Sequence, residues 1–169
     1  MTKWLGLGVV LALTACSESD FDDELSFERI NPDTLNEHPF YSQVTTVSGD
    51  AKFIYIAGQT DRAVDYRIGS NECRHPDWRG QVTGVAENVE NALRAAGAGW
   101  DDVVFIRRFV LDMAAYRSAL TDSNNPLPVV WQDRAPPPST LIEVGALSEP
   151  CQLLEVDVFA VVPAEESDD

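Results

Sequence analysis

Two segments with alternating apolar and polar residues, FYSQVTTV and KFIYIAG, predict β-strands in the first third of the chain. The residues between them, Ser48-Gly49-Asp50, favour a tight turn and predict that the two strands form a hairpin. After a polar loop, apolar residues recur at helical spacing and end before Gly97, which suits a helix C-terminus. These helical positions are Val82, Val85, Val89, Ala92, Leu93 and Ala96.

The second half of the chain predicts three more strands and a weaker helix. DDVVFIRRFVLD reads as a strand, and a helical pattern begins near Met113 and is interrupted at Pro126. STLIEVGAL and QLLEVDVFAVV predict two final strands, paired through a turn at Ser148-Glu149-Pro150. The order ββ-α-β-α-ββ predicts an α+β fold with a mixed sheet, because strands separated by helices need crossovers. Helices would cover one face, and oligomerisation would cover the other, apolar face.

The first sixteen residues predict an export signal rather than part of the fold. Lys3 precedes the apolar run WLGLGVVLALTA, which is too short to span a bilayer but suits a signal peptide. Leu13-Thr14-Ala15-Cys16 resembles a bacterial lipobox, in which the cysteine is lipidated; an ordinary secretory signal is the alternative. We therefore expect a signal peptide over residues 1–15, lipidation of Cys16, and a membrane-anchored lipoprotein facing the periplasm. Ser17 after the cysteine favours the outer membrane.

Acidic segments flank the predicted domain. Residues 16–38 are predicted to be a tether and residues 163–169 an acidic tail, which leaves residues 39–162 for the fold. The whole chain has 28 acidic and 12 basic residues, for a net charge of −16. Nucleic acid is an unsuitable partner, because affinity for phosphate backbones comes largely from Lys and Arg.

Carboxylates on the last two strands are the candidate catalytic groups. Alternation places Glu155 and Asp157 on one face of the final strand, and Ser139 and Glu143 on one face of the strand before it. If these strands pair, the acids gather, and clustering raises a carboxyl pKa as general acid–base chemistry requires. The alternative is that the acids point to solvent at the sheet edge.

Other chemistry has weaker support in the sequence. His38 and His75 are the only histidines, and no Cys or His pair completes a zinc pattern, so neither a metal nor another cofactor is expected. Cys73 and Cys151 can form a disulfide in an oxidising compartment, and two free thiols are the alternative. Ser139-Thr140 follows three prolines and lacks the nucleophile elbow of hydrolases.

One long segment resembles a known family. QVTGVAENVENALRAAGAGWDDVVFIRRFVLDM resembles the central helix–strand signature of the RidA/YjgF (reactive intermediate deaminase) family. YIAGQT is similar to the family strand that ends in Ser-Gly-Gln, and STLIEVGAL with LEVDVFAVV looks like its closing hairpin, so the resemblance spans about Pro39 to Val162. It implies a six-stranded-type mixed sheet with two helices on one face, as in chorismate mutase, and a homotrimer. It also implies small-molecule sites between subunits, where typical members hydrolyse enamines and imines to keto acids and ammonia.

The resemblance assigns roles to several residues. Tyr41 matches the tyrosine that lines the family cleft, Glu155 matches the glutamate that positions water, and Gly58 and Gln59 match the Gly-Gln pair. Ser139 stands where the family has the arginine that clamps the substrate carboxylate.

The resemblance therefore implies an arginine-lacking hydrolase or deaminase. Ser139 and Thr140 would form a hydrogen-bonding wall, and uncharged or cationic substrates would be preferred unless Arg134 swings into the cleft. A catalytically silent module that binds small molecules or supports an envelope complex is the alternative. The ribonuclease activity known among relatives is opposed by the acidic charge.

Overall fold

The computed structural model describes residues 24–120 and 135–164. Within these ranges the chain forms six strands and two α-helices, with a short 3-10 turn at Trp100–Asp102. Cys16, Arg134 and the predicted signal peptide lie outside the described residues, and so do residues 165–169 of the predicted acidic tail, whose first residue, Pro163, belongs to β6. The elements in order are β1 (Ser26–Ile30), β2 (Val44–Ser48), β3 (Ala51–Gln59), α1 (Trp78–Ala95), β4 (Val103–Val110), α2 (Met113–Leu120), β5 (Ser139–Glu143) and β6 (Leu154–Pro163).

The main sheet has four strands in the order β3-β6-β4-β5, and β1 and β2 form a separate antiparallel pair. Strand β4 runs parallel to β5, and the other neighbours in the main sheet are antiparallel. Both helices contribute to the core on one face of this mixed sheet. The α+β class, the mixed sheet and the covering of one face are thereby confirmed.

Two predicted strand pairings are wrong. Gly49, with a φ of 93°, does turn the chain between β2 and β3, but β2 pairs with β1 instead of β3. Strand β1 itself lies inside the segment that the sequence assigns to the acidic tether. The final hairpin is also wrong, because β4 lies between β5 and β6 and hydrogen-bonds to both. The strands were predicted from their own alternation, which carries no information about their neighbours.

Helix α1 forms where the apolar spacing predicts it. Asp77 caps its N-terminus by accepting a hydrogen bond from the Gly80 amide, and Gly97 follows its end with a φ of 78°. The buried positions of the helix pack against alternate residues of β6, which form the centre of the core. These helix positions are Val82, Val85, Val89 and Leu93, and their partners on β6 include Leu154, Val156, Val158 and Ala160.

The opposite face of the main sheet, which we call the open face, is apolar at one end. Tyr55 and Phe105 both pack against Phe159 there, and Phe53 and Tyr55 are 61% and 73% exposed. A shallow depression of about 300 Å³ lies among these rings. The structure therefore leaves uncovered the face for which the sequence predicts an oligomer. Among the described residues no helix is long and apolar enough to cross a membrane.

Candidate functional site

Polar groups gather at the other end of the open face. The carboxylate of Asp157 accepts three hydrogen bonds from Arg107, the shortest of 2.6 Å from Nη2, and this pairing raises the pKa of Arg107 above its ordinary value. The Arg107 guanidinium also lies 5.2 Å from the centre of the Phe159 ring. Thr140 neighbours Arg107 on β5 and is exposed. Asp157 is thus committed to an ion pair, which disfavours it as a catalytic base.

Glu155 lies one residue pair further along this face, against the backbone of Gly58. A Cβ atom built on Gly58 would lie 1.8 Å from the Glu155 Oε1 atom, so only glycine permits this approach. The ladder between β3 and β6 shifts register between Ile56 and Gln59, which places Gly58 within this irregularity. No hydrogen bond or ion pair joins the half-buried Glu155 carboxylate to another described residue. It is therefore available to a ligand.

Ser139 lies on the helix-covered face, opposite to Glu155. Ile106 on β4 is paired with Ser139 on β5 and with Val158 on β6. Residues paired across neighbouring strands lie on the same face of a sheet, so Ser139 lies on the face that carries the core residue Val158. Its Oγ accepts a hydrogen bond of 2.7 Å from Nη2 of Arg108. Glu143, four residues further along β5 and on the same face, accepts a hydrogen bond from the Met113 amide at the start of α2. The predicted gathering of Glu143 and Ser139 with Glu155 and Asp157 is therefore wrong.

Tyr41 is held near the start of β5. Its ring stacks on His38 with the ring centres 4.4 Å apart. The next residue, Ser42, is buried, and both its amide and its hydroxyl donate to the carbonyl of Pro136. Within the described part of the chain, no hydrogen bond or ring contact links Tyr41 to Glu155. The structure therefore places Tyr41 with the β5 segment, and Gly58 and Gln59 with Glu155.

The polar loop between β3 and α1 is fastened to the turn before β6. A disulfide joins Cys73 to Cys151, which is one of the two alternatives that the sequence leaves open for these cysteines. Asp61 is fully buried and accepts from Nε of Arg74 at 3.0 Å and from the amide of His75 at 2.7 Å. These bonds give the loop a fixed position over the end of the core.

A polar cleft of about 400 Å³ lies along this loop, lined in part by Tyr66, Arg67 and Arg74. The Tyr66 hydroxyl donates to Glu149, which lowers the pKa of Glu149 and raises the pKa of Tyr66. His75 contacts Asp61, but no group of metal ligands forms among the residues that the structure describes.

Comparisons with known proteins identify the fold. A model of the endoribonuclease L-PSP family, the Rid/YjgF family, matches residues 33–162. The chain belongs to this family. A Rid family protein of unknown function from Yersinia pestis, YyfB, is 26% identical, with a TM-score of 0.67 over 80% of this chain and 98% of its own. A probable translation initiation inhibitor from Rhodopseudomonas palustris is also 26% identical, with a TM-score of 0.55 over 82% of this chain and 100% of its own. Curated proteins gave no match.

Two residues that match positions of the Rid/YjgF family, Glu155 and Ser139, are separated by the sheet. In one copy of the chain, Glu155 lies on the open face and Ser139 on the helix-covered face. No shift of a side chain moves a residue across a sheet, so one copy does not assemble all of the family positions into one pocket.

Sequence reasoning missed the two arginines of β4. Arg107 pairs with Asp157 and Arg108 with Ser139, although neither was a candidate. Two adjacent arginines in the middle of an apolar strand were the available signal, since charges inside a sheet are normally paired. Their partners required the strand order, which the sequence alone did not supply.

Proposed function

We propose that this Rid/YjgF protein is a small-molecule hydrolase that deaminates enamine or imine metabolites in clefts between copies of the chain, arranged as a homotrimer. Glu155 would activate or position the attacking water, and Tyr41 of another copy would line the cleft. The observation that carries the proposal is the half-buried Glu155 carboxylate, which has no protein partner among the described residues. A carboxylate in this state can take a proton from water as a general base.

The arrangement of the sheet supports a site between copies. Because Ser139 and Glu155 face opposite sides of one sheet, two copies are needed to line a common cleft with both. The exposed rings of Phe53 and Tyr55 give the open face an apolar surface on which another copy can pack. Gly58, Gln59 and Thr140 would then border the ligand as backbone and hydroxyl groups.

The test is ammonia release by the full-length protein, solubilised in detergent, from 2-iminopropionate generated in situ and from a panel of uncharged imines. We expect turnover of at least one of these substrates, because Glu155 is free to act on water. Absence of turnover on every substrate would contradict the hydrolase.

That result would favour the second candidate, a silent small-molecule-binding or envelope-complex module. Ser139 in place of the family arginine is the observation behind this alternative. We infer that its loss removes the family's carboxylate clamp from position 139, since a guanidinium is the group that best fits a carboxylate, and that substrate preference is altered unless another cation takes over this role. Nucleic acid is not proposed as a substrate, because the chain carries a net charge of −16.

We propose that the protein is anchored through a lipidated Cys16 and faces the periplasm. The disulfide between Cys73 and Cys151 supports an oxidising compartment. Replacement of Cys16 by serine should move the protein from the membrane fraction to the soluble periplasmic fraction, measured by fractionation and immunoblotting. Ser17→Ala, which keeps the cysteine, is the control that should leave the protein in the membrane fraction. A Cys16→Ser protein that stays membrane-bound would contradict the anchor.

A further inference from the structure

Arg108 on β4 is a half-buried cation with neutral partners. Its Nη2 donates to Ser139 Oγ at 2.7 Å, and its Nη1 lies 3.4 Å from the Tyr116 hydroxyl on α2. Removing a charge from water is costly, so partly buried arginines are usually paired with carboxylates. No described carboxylate lies within ion-pair distance of Arg108, although the chain has 28 acidic residues. By contrast, each of three other arginines has such a partner: Arg74, Arg94 and Arg107.

The groups left unsatisfied around Arg108 are hydrogen-bond donors. Its Nε–H is buried and has no partner among the described residues. The hydroxyls of Ser139 and Tyr116 each accept from Arg108, and neither gives its own proton to another described residue. Buried donors are nearly always satisfied in folded proteins. A positive charge flanked by spare donors matches the requirements of an anion.

We propose that Arg108, Ser139 and Tyr116 form a binding site for a small carboxylate, the anionic end of the substrate. The identity of the rest of the substrate rests on the proposed function. Each Nη nitrogen of Arg108 uses one of its two N–H groups in the contacts above, so a second N–H on each is left for a carboxylate. Arg108 thus supplies from β4 the charge that position 139 on β5 lacks. The preference for uncharged or cationic substrates, expected from the sequence, is replaced by a preference for anions.

Ser139 has a specific part in this site. Because Arg108 and Ser139 lie on neighbouring strands and on the same face, a small side chain at position 139 leaves room for the guanidinium to reach the edge strand. An arginine at position 139 would bring two like charges together there. Serine at this position and arginine at position 108 therefore form a matched pair.

Pyruvate is the binding probe, with methyl pyruvate as its uncharged analogue. Binding to the full-length protein in detergent is measured by calorimetry, and by the fluorescence of Trp78, whose ring lies 5.9 Å from that of Tyr116. We expect saturable binding of pyruvate, and binding at least about tenfold weaker in Arg108→Gln, since a charge-assisted hydrogen bond is lost. Ser139→Ala should weaken binding by a few fold. Arg94→Gln, which removes an arginine from an exposed ion pair on α1, is the control and should bind normally.

Circular dichroism establishes that each variant is folded. If Arg108→Gln unfolds, Arg108→Lys takes its place, because lysine keeps the positive charge but lacks the paired N–H groups of the guanidinium. Equal affinity for pyruvate and methyl pyruvate, or unchanged pyruvate affinity in the folded Arg108 variant, would overturn the site. Failure of the proposed function has a different signature. Absence of ammonia release together with Arg108-dependent pyruvate binding would remove the hydrolase and leave the carboxylate site in place.

Discussion

Glu155→Gln is expected to lower the rate of ammonia release by roughly 100-fold or more, the loss typical of a removed general base. The glutamine amide has the size of the carboxylate, so the contact with Gly58 is retained while the ability to accept a proton is lost. The measurement is kcat and KM for the best substrate of the imine panel. A large fall in kcat with little change in KM is the expected pattern, because the carboxylate acts on water rather than on the bound substrate.

Glu90→Gln is the matched control. Glu90 lies on the exposed face of α1 and pairs with Arg94, far in sequence and on a different element from the candidate site. The Glu90→Gln substitution removes the same charge and should leave both kcat and KM unchanged.

Gly58→Ala tests the position of the carboxylate by a second route, since the added Cβ would displace the Glu155 side chain. Full activity of Glu155→Gln would show that Glu155 is not the base.

The elements of the fold could be predicted from the sequence much better than their arrangement. The buried stripe of α1 is present where the apolar spacing indicates, and strand β6 forms where its sequence pattern predicts a strand, although residues on both of its faces are buried. Pairing of strands is a non-local property. The turn at Gly49 and the turn at Pro150 looked like hairpin turns, yet β1 pairs with β2 and β4 separates β5 from β6.

The same limit explains what was missed at the site. Alternation correctly placed Glu155 with Asp157, because both lie on one strand. It could not relate that face to the face of Ser139, which depends on the parallel register of β4 and β5. The family resemblance identified the matched residues and showed that serine replaces the family arginine at position 139. The contact of Arg108 with Ser139, in contrast, is a property of the folded chain.

If both proposals hold, the two half-sites on opposite faces would give an assembly of several copies a chemical role. Glu155 on one copy would supply the base, and Arg108 with Ser139 on another would orient the substrate through its carboxylate. A monomer would then bind pyruvate through Arg108 without hydrolysing imines, because the Glu155 and the Arg108 of one copy lie on opposite faces of its sheet and could not act on the same ligand. Pyruvate binding therefore tests the carboxylate site at Arg108, whereas imine turnover tests the hydrolase that uses Glu155. Either proposal can fail without the other.

Loss of the disulfide between Cys73 and Cys151 is expected to lower the free energy of unfolding more than the loss of any other single bond in the chain. Cys73 and Cys151 are separated by 78 positions, so the bond closes a long loop that includes α1, β4, α2 and β5. The chain-entropy relation for a loop of this length predicts that the Cys73→Ser/Cys151→Ser variant loses about 4.5 kcal/mol of the free energy of unfolding. Urea unfolding followed by tryptophan fluorescence measures this loss as a lower midpoint.

Reduction of the wild-type protein with dithiothreitol should produce the same fall, because it opens the same loop without changing the sequence. The double serine variant is the matched control, and dithiothreitol should leave its midpoint unchanged. The polar loop should respond most strongly, since Asp61, Arg74 and His75 depend on the position that Cys73 holds. Equal midpoints for the oxidised wild type and the double variant would show that the hydrogen bonds of Asp61, and not the covalent bond, fix the loop.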